Sequence, residues 1–215
     1  MVIVLIKAIV FDLDGTLVDT MDLWVRVWGE TLRRFGIQIS DDRVRPLIGL
    51  SPKGIIEGAT HKECSPEDEK MMVEYRTKLL WELAYMAKPF ADAEPALKSL
   101  KSRGIKIAVA SSSPDNWIKE MLDRAEISNY IDSYVSATKV EKPKPAPDVF
   151  IEAFRSIGHK PSEGMVVGDR ESDTLPGMSI GAVSVLIDRI NEFRDPKADF
   201  VIRSLGELEG LIGKL

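Results

Sequence analysis

The sequence predicts an α/β protein, a three-layer Rossmann-like parallel sheet with one inserted α-helical domain, and three observations lead there. From Lys88 onward, short apolar runs alternate with helical patterns, which argues for strand–helix–strand units building a parallel sheet. Between about Val18 and Ala87 the apolar residues recur at helical spacing, with no strand-like run among them. The opening run "MVIVLIKAIVF" reads as a strand but has nothing in the helical stretch to pair with, so it joins the later sheet. The helical stretch is then an insertion. The expected boundaries are 1–16 and 88–215 for the α/β unit and 17–87 for the helical unit.

Taken in order, the opening run owes its strand character to Val2, Ile3, Val4, Ile6, Ile9 and Val10, β-branched residues suited to a strand covered on both faces. As a targeting segment it fails. It has no basic start, Lys7 interrupts it, no small-residue cleavage site follows, and it is far short of the roughly 20 residues that cross a bilayer. The helical unit places Met21, Trp24, Trp28, Leu32 and Phe35 along one helix and Met72, Tyr75, Leu79, Leu83 and Met86 along another. Gly36 ends the first, while Ser51-Pro52 and Ser65-Pro66 each offer a cap and a first-turn proline. The spacing puts Trp24, Trp28 and Trp81 in the core of this unit. Beyond it, strands are expected at Ile105 to Ala110, Tyr134 to Val135, Met165 to Val167, Val183 to Ile187 and Phe200 to Ile202. Helices are expected near 93–102, 114–125, 147–157 and 205–214.

Bulk properties narrow the function classes. The chain has 215 residues, 44% of them hydrophobic, enough for one full core and a smaller second unit. Its 34 acids and 29 bases are spread evenly and leave a formal charge of −5, which argues against a nucleic-acid or membrane-surface partner. Cys64 is the only cysteine, so no intrachain disulfide forms and a reducing, cytoplasmic compartment is expected. A monomer or a dimer is equally compatible with the sequence.

"FDLDGT", residues 11–16, ends the first strand with two carboxylates two residues apart. Ligands of open parallel sheets bind at the carboxyl ends of the strands, and the period of two aims Asp12 and Asp14 to one side. Like charges so placed are costly unless a cation or a shared proton compensates, and Mg²⁺ is a hard ion that takes such oxygens. "DG" between apolar residues is also a hairpin-turn signal. A calcium loop is excluded, because Thr16, Leu17 and Leu23 stand where an acidic or amide residue, a glycine and a glutamate belong.

The later strand ends add polar groups. "AVASSS" puts Ser111 and Ser112 at the tip of the second strand, and Ser113-Pro114 opens a helix whose free N–H groups suit an anion. "EKPKPAPD" stiffens a loop holding Lys142 and Lys144, and "VVGDRESD" supplies Asp169 and Asp173. Singly these are helix caps, solvated lysines and turn formers. Jointly they fall on one edge of one sheet.

In that order the four segments resemble the motifs of the haloacid dehalogenase superfamily of phosphohydrolases. "DxDGT" alone is a chance match of about 1 in 10⁵ per starting point on average residue usage. The helical insertion resembles the family's C1 cap (subfamily I), and the layout is phosphoglycolate phosphatase-like. The resemblance implies Asp12 as nucleophile forming an aspartyl-phosphate and Asp14 as general acid and base. It implies Mg²⁺ held by Asp12, the Asp14 carbonyl and Asp169, with Asp173 supporting. Ser111, Ser112 and Lys144 would bind phosphate oxygens, Lys144 being preferred to Lys142 because it stands directly before "PAPD". Arg45 and Lys53, in "RVRPLIGLSPKG" with Gly49 and Gly54, match the place of the family's specificity loop. The expected substrate is a small phosphorylated metabolite.

Asp14 argues against carbon–halogen cleavage, whose enzymes in the family lack that acid. Trp24 stands where the β-phosphoglucomutase branch typically has histidine, which leaves a phosphomutase as the alternative. A phospho-aspartate signalling module is the rival from another class, opposed by the first-strand position of the acceptor and by the inserted helices. Two departures from the family stand out. Arg170, where many relatives have serine, is expected to face solvent, and Pro176 is expected to shorten or bend the helix after Asp169.

Overall fold

The computed structural model describes residues 5–48 and 50–215. Val2, Ile3 and Val4 of the expected first strand, and Gly49 of the expected specificity loop, lie outside the described residues. The chain divides into two compact units, Met1–Val18 with Pro89–Leu215, and Asp19–Lys88. No helix among the described residues is long and apolar enough to cross a membrane.

In the larger unit, β1 (Ala8–Phe11) is followed, after the insertion, by α5 (Ala93–Ser102), β4 (Lys106–Ser111), α6 (Asp115–Arg124), β5 (Ser133–Ser136), α7 (Asp148–Ser156), β6 (Gly164–Gly168), α8 (Glu171–Ser179), β7 (Val183–Ile187), β8 (Phe200–Ile202) and α9 (Leu208–Ile212). The six strands form one parallel sheet in the order β5-β4-β1-β6-β7-β8. The sequence direction reverses beside β1, which makes the carboxyl ends of β1 and β6 the topological switch point.

Both faces of the sheet are covered. Ala8 and Val10 of β1, Ala108 and Ala110 of β4 and Val166 of β6 pack with Val149, Phe150, Ala153 and Phe154 of α7. Ile9, Phe11, Ile107, Val109, Met165 and Val167 alternate with them and are equally buried, as a parallel sheet between helical layers requires. The first strand starts only at Ala8, because its neighbours begin opposite that residue at Lys106 and Gly164; Leu5 beyond it is exposed. Pro176 lies inside α8, a helix of nine residues. A Cβ on Gly177 would come within 2.9 Å of Val166 Cβ, so a glycine lets this helix approach the sheet closely. The expected C-terminal helix splits into a capped turn at Leu205–Glu207 and the short α9.

The smaller unit holds α1 (Met21–Arg34), α2 (Asp41–Val44), α3 (Pro52–Thr60) and α4 (Pro66–Glu82). Ser51 and Ser65 cap α3 and α4 by accepting from Gly54 N and Asp68 N, each at 3.1 Å, with proline in the first turn. Gly36 takes a left-handed φ of 82° after α1, the conformation that lets a helix end turn away cheaply. Val25, Trp28, Leu32, Val44, Ile55, Ile56 and Met72 form its core, with Trp24 packed against it. Trp81, expected in that core, is instead 37% exposed. The four-residue α2 escapes periodicity because it is barely one turn long. Two-residue strands, β2 (Val18–Asp19) and β3 (Lys88–Pro89), pair where the chain leaves and returns.

Candidate active site

Asp12 follows β1 directly and stays in register with the next strand through a 2.8 Å bond from its N–H to the Val167 carbonyl. The chain then turns tightly, with the Leu13 carbonyl accepting from Leu17 N and Val18 N at 3.0 Å. Gly15 makes this turn with φ of 89°, and any Cβ there would collide with the Asp169 carboxylate. The glycine of "DGT" therefore serves the backbone and the site together.

Lys144 organises the acids. Its Nζ donates to Asp12 Oδ1 at 2.6 Å, Asp173 Oδ1 at 2.8 Å and the Ala110 carbonyl at 2.8 Å, which uses all three ammonium protons. Its side chain is 5% exposed. Lys142, by contrast, is exposed. Asp12, Asp169 and Asp173 each present a carboxylate oxygen within 4.8 Å of the others. Burial pushes the Asp12 carboxyl well above its usual range; Lys144 opposes this, and Asp173, Asp169 and Asp14 add to it. Asp169 is pushed up to about 7 by burial and by Asp173. Burial pulls Lys144 down, but the Asp12 and Asp173 charges outweigh it and hold the ammonium above its ordinary value.

Asp14 is held from the other side. Ser113 Oγ donates to its Oδ2 at 2.8 Å, Trp117 Nε1 to its Oδ1 at 3.3 Å, and Ser111 Oγ lies 3.5 Å from Oδ2. Ser111 also accepts from Ser113 N, while Ser112 at the same turn is exposed. Ser113 was readable as a helix opener, yet its hydroxyl goes to Asp14 and α6 has no side-chain cap. Nothing in the sequence marks Trp117, a core aromatic of α6, as an indole that reaches an acid.

Arg170 departs from expectation: its side chain does not simply face solvent. Its Nε lies 3.3 Å from Asp169 Oδ2 and its Nη1 3.3 Å from Glu192 Oε1. At the N-terminus of α8, Asp173 Oδ2 accepts from the Arg170 N–H at 3.2 Å. The structure thus brings Asp12, Asp14, Ser111, Lys144, Asp169 and Asp173 to one sheet edge. Arg45 and Lys53 belong to the helical unit, where Arg45 pairs with Asp22 at 2.6 Å and Lys53 lies 3.6 Å from Glu57.

Asp12, Asp169 and Asp173 converge with carboxylate oxygens alone, an all-oxygen set that fits a hard divalent ion such as Mg²⁺. Around the turn, Arg189 forks onto Asp92 at 2.9 and 3.1 Å and donates to the Thr16 carbonyl at 3.0 Å, with its guanidinium over the Phe90 ring. Sequence reasoning missed this brace.

The chain is similar to known proteins along most of its length. Phosphoglycolate phosphatase of Aquifex aeolicus is 28% identical over 181 residues, 84% of each chain. Pyrophosphatase PpaX of Halalkalibacterium halodurans is 25% identical over 221 residues, 97% of each chain. The crystal structure of β-phosphoglucomutase from Clostridium difficile shares the fold, with a TM-score of 0.82 at 24% identity over 98% of this chain and 97% of that one. The sequence profile of one family matches residues 9–187, and on that match the chain belongs to the haloacid dehalogenase-like hydrolases.

Proposed function

We propose that the protein is a Mg²⁺-dependent phosphatase of a small phosphorylated metabolite, working through an aspartyl-phosphate. The observation that carries this reading is the convergence of Asp12, Asp169 and Asp173 around Lys144, with Asp14 held separately by Ser113 and Trp117. Lys144 fixes Asp12 by Oδ1, and Oδ2 attacks the phosphorus, forming an acyl-phosphate bond as the bond to the leaving oxygen breaks. Asp14 gives its proton to that oxygen. It then takes a proton from the water that cleaves the acyl-phosphate, releasing inorganic phosphate and restoring both carboxyl groups.

Ser111 and Ser112, at the tip of β4, would bind non-bridging oxygens, and so would Lys144 on giving up one of its internal bonds. Mg²⁺ on Asp12, the Asp14 carbonyl and Asp169, supported by Asp173, would screen the repulsion between nucleophile and phosphate. The helical unit would act as the cap that selects substrate. The compartment would be the cytoplasm, on the single cysteine. The names of the two curated relatives support a small phosphorylated substrate.

The test is phosphate release from p-nitrophenyl phosphate with Mg²⁺. Many turnovers per chain are expected, falling by roughly 10⁴-fold in Asp12→Asn. One slow equivalent of phosphate would instead mark a phospho-aspartate switch. A screen over phosphoglycolate, pyrophosphate, nucleoside monophosphates and hexose phosphates then assigns the substrate. Isomerisation of glucose 1-phosphate would replace hydrolysis by the mutase reading.

A further inference from the structure

Four arginines are partly buried: Arg33, Arg76, Arg170 and Arg189. Three have a carboxylate within salt-bridge distance, Arg33 with Asp41, Arg170 with Asp169 and Glu192, and Arg189 with Asp92. Arg76, on α4 of the helical unit, has none among the described residues. Its guanidinium carbon lies 5.5 Å from the Trp24 ring centroid and 5.7 Å from that of Trp28. Among the described residues its Nε is buried without a hydrogen-bond partner, and its Nη2 donates to Thr77 Oγ1 at 3.4 Å. Burial pulls its pKa down with no acid to offset the pull.

This arrangement is unusual in energetic terms. A guanidinium taken partly out of water loses hydration that cation–π contact replaces only in part. The two indoles turn their ring faces to the ion, and such a contact takes up none of its N–H donors in a conventional hydrogen bond. Nε and Nη1 are therefore left without an acceptor among the described residues. A planar or tetrahedral oxyanion, taken bidentately, is the partner that geometry suits best.

We propose that Arg76, set by Trp24 and Trp28, is an anion-binding site of the helical unit that takes a carboxylate or phosphate group.

Titration of the intact protein with malonate, and separately with inorganic phosphate, tests the site by tryptophan fluorescence without Mg²⁺ or turnover. A saturable change with either anion in the wild type, lost in Arg76→Met, is the expected result, and the stronger anion identifies the preferred group. Wild-type emission that responds to neither, or a response that Arg76→Met keeps in full, overturns the proposal. Should Arg76→Met fold poorly, Arg76→Gln takes its place with the same two outcomes.

Discussion

Lys144 and Trp117 show how differently two residues of one site read from sequence. Lys144 is found because it stands directly before "PAPD", where the resemblance to the family puts the third motif. Its three bonds explain what the spacing does not, namely that its charge opposes the burial that pushes the Asp12 carboxyl up. Trp117 gives no such sign, since a buried aromatic on an amphipathic helix is ordinary core. Its indole nevertheless orients Asp14. Trp117→Phe keeps the packing and deletes the N–H, so turnover should fall about tenfold while the folding midpoint moves little. A loss of stability with unchanged kcat would show that the indole only packs. Arg76 was passed over for a similar reason, since a charge on a helix reads as solvated face until its neighbours are known. Arg45, which the sequence did single out, is already paired with Asp22.

Elements were legible where periodicity and punctuation agree. β7 and β8 and α5 fall where alternation and apolar spacing put them, and Ser51 and Ser65 cap as their position before proline suggests. What failed was local. The two-residue ribbon and α2 are too short to show a period, and the first strand is trimmed by its partners rather than by its own composition. The anchoring of β4 was likewise hidden. Asp132, just before β5, accepts from Ile107 N and Lys101 Nζ at 2.8 Å and from Lys106 Nζ at 2.9 Å. Although burial raises it, these donors lower its carboxyl to about 2. A depressed acid stabilises the fold above its ordinary value of 3.8, and that support is lost as pH falls through about 2. Screened by solvent, it is worth about 1 kcal/mol. Urea unfolding across this pH window should show the loss in the wild type and not in Asp132→Asn, which keeps an acceptor for Ile107. Parallel curves for the two proteins would refute the assignment.

At the scale of the molecule, the uneven charge of the site couples stability to the ion it fits. Apoprotein carries the repulsion among Asp12, Asp169 and Asp173, so Mg²⁺ at about a hundred times its dissociation constant should add about 2.7 kcal/mol. For a chain of this length that raises the melting midpoint by several degrees, reversibly on chelation. Asp169→Asn should abolish the shift while leaving the apoprotein at least as stable. A midpoint indifferent to Mg²⁺ would mean the carboxylates hold no metal.

The paired strands β2 and β3 carry a separate implication. Leaving and returning side by side, with Phe90 N bonded to the Leu17 carbonyl at 3.1 Å, they reduce seventy residues of inserted chain to a gap that a few glycines would span. Descendants of this sequence are thereby free to exchange the whole helical module through a single pair of neighbouring peptide junctions. The carboxylates gathered at the end of the sheet would keep their places throughout.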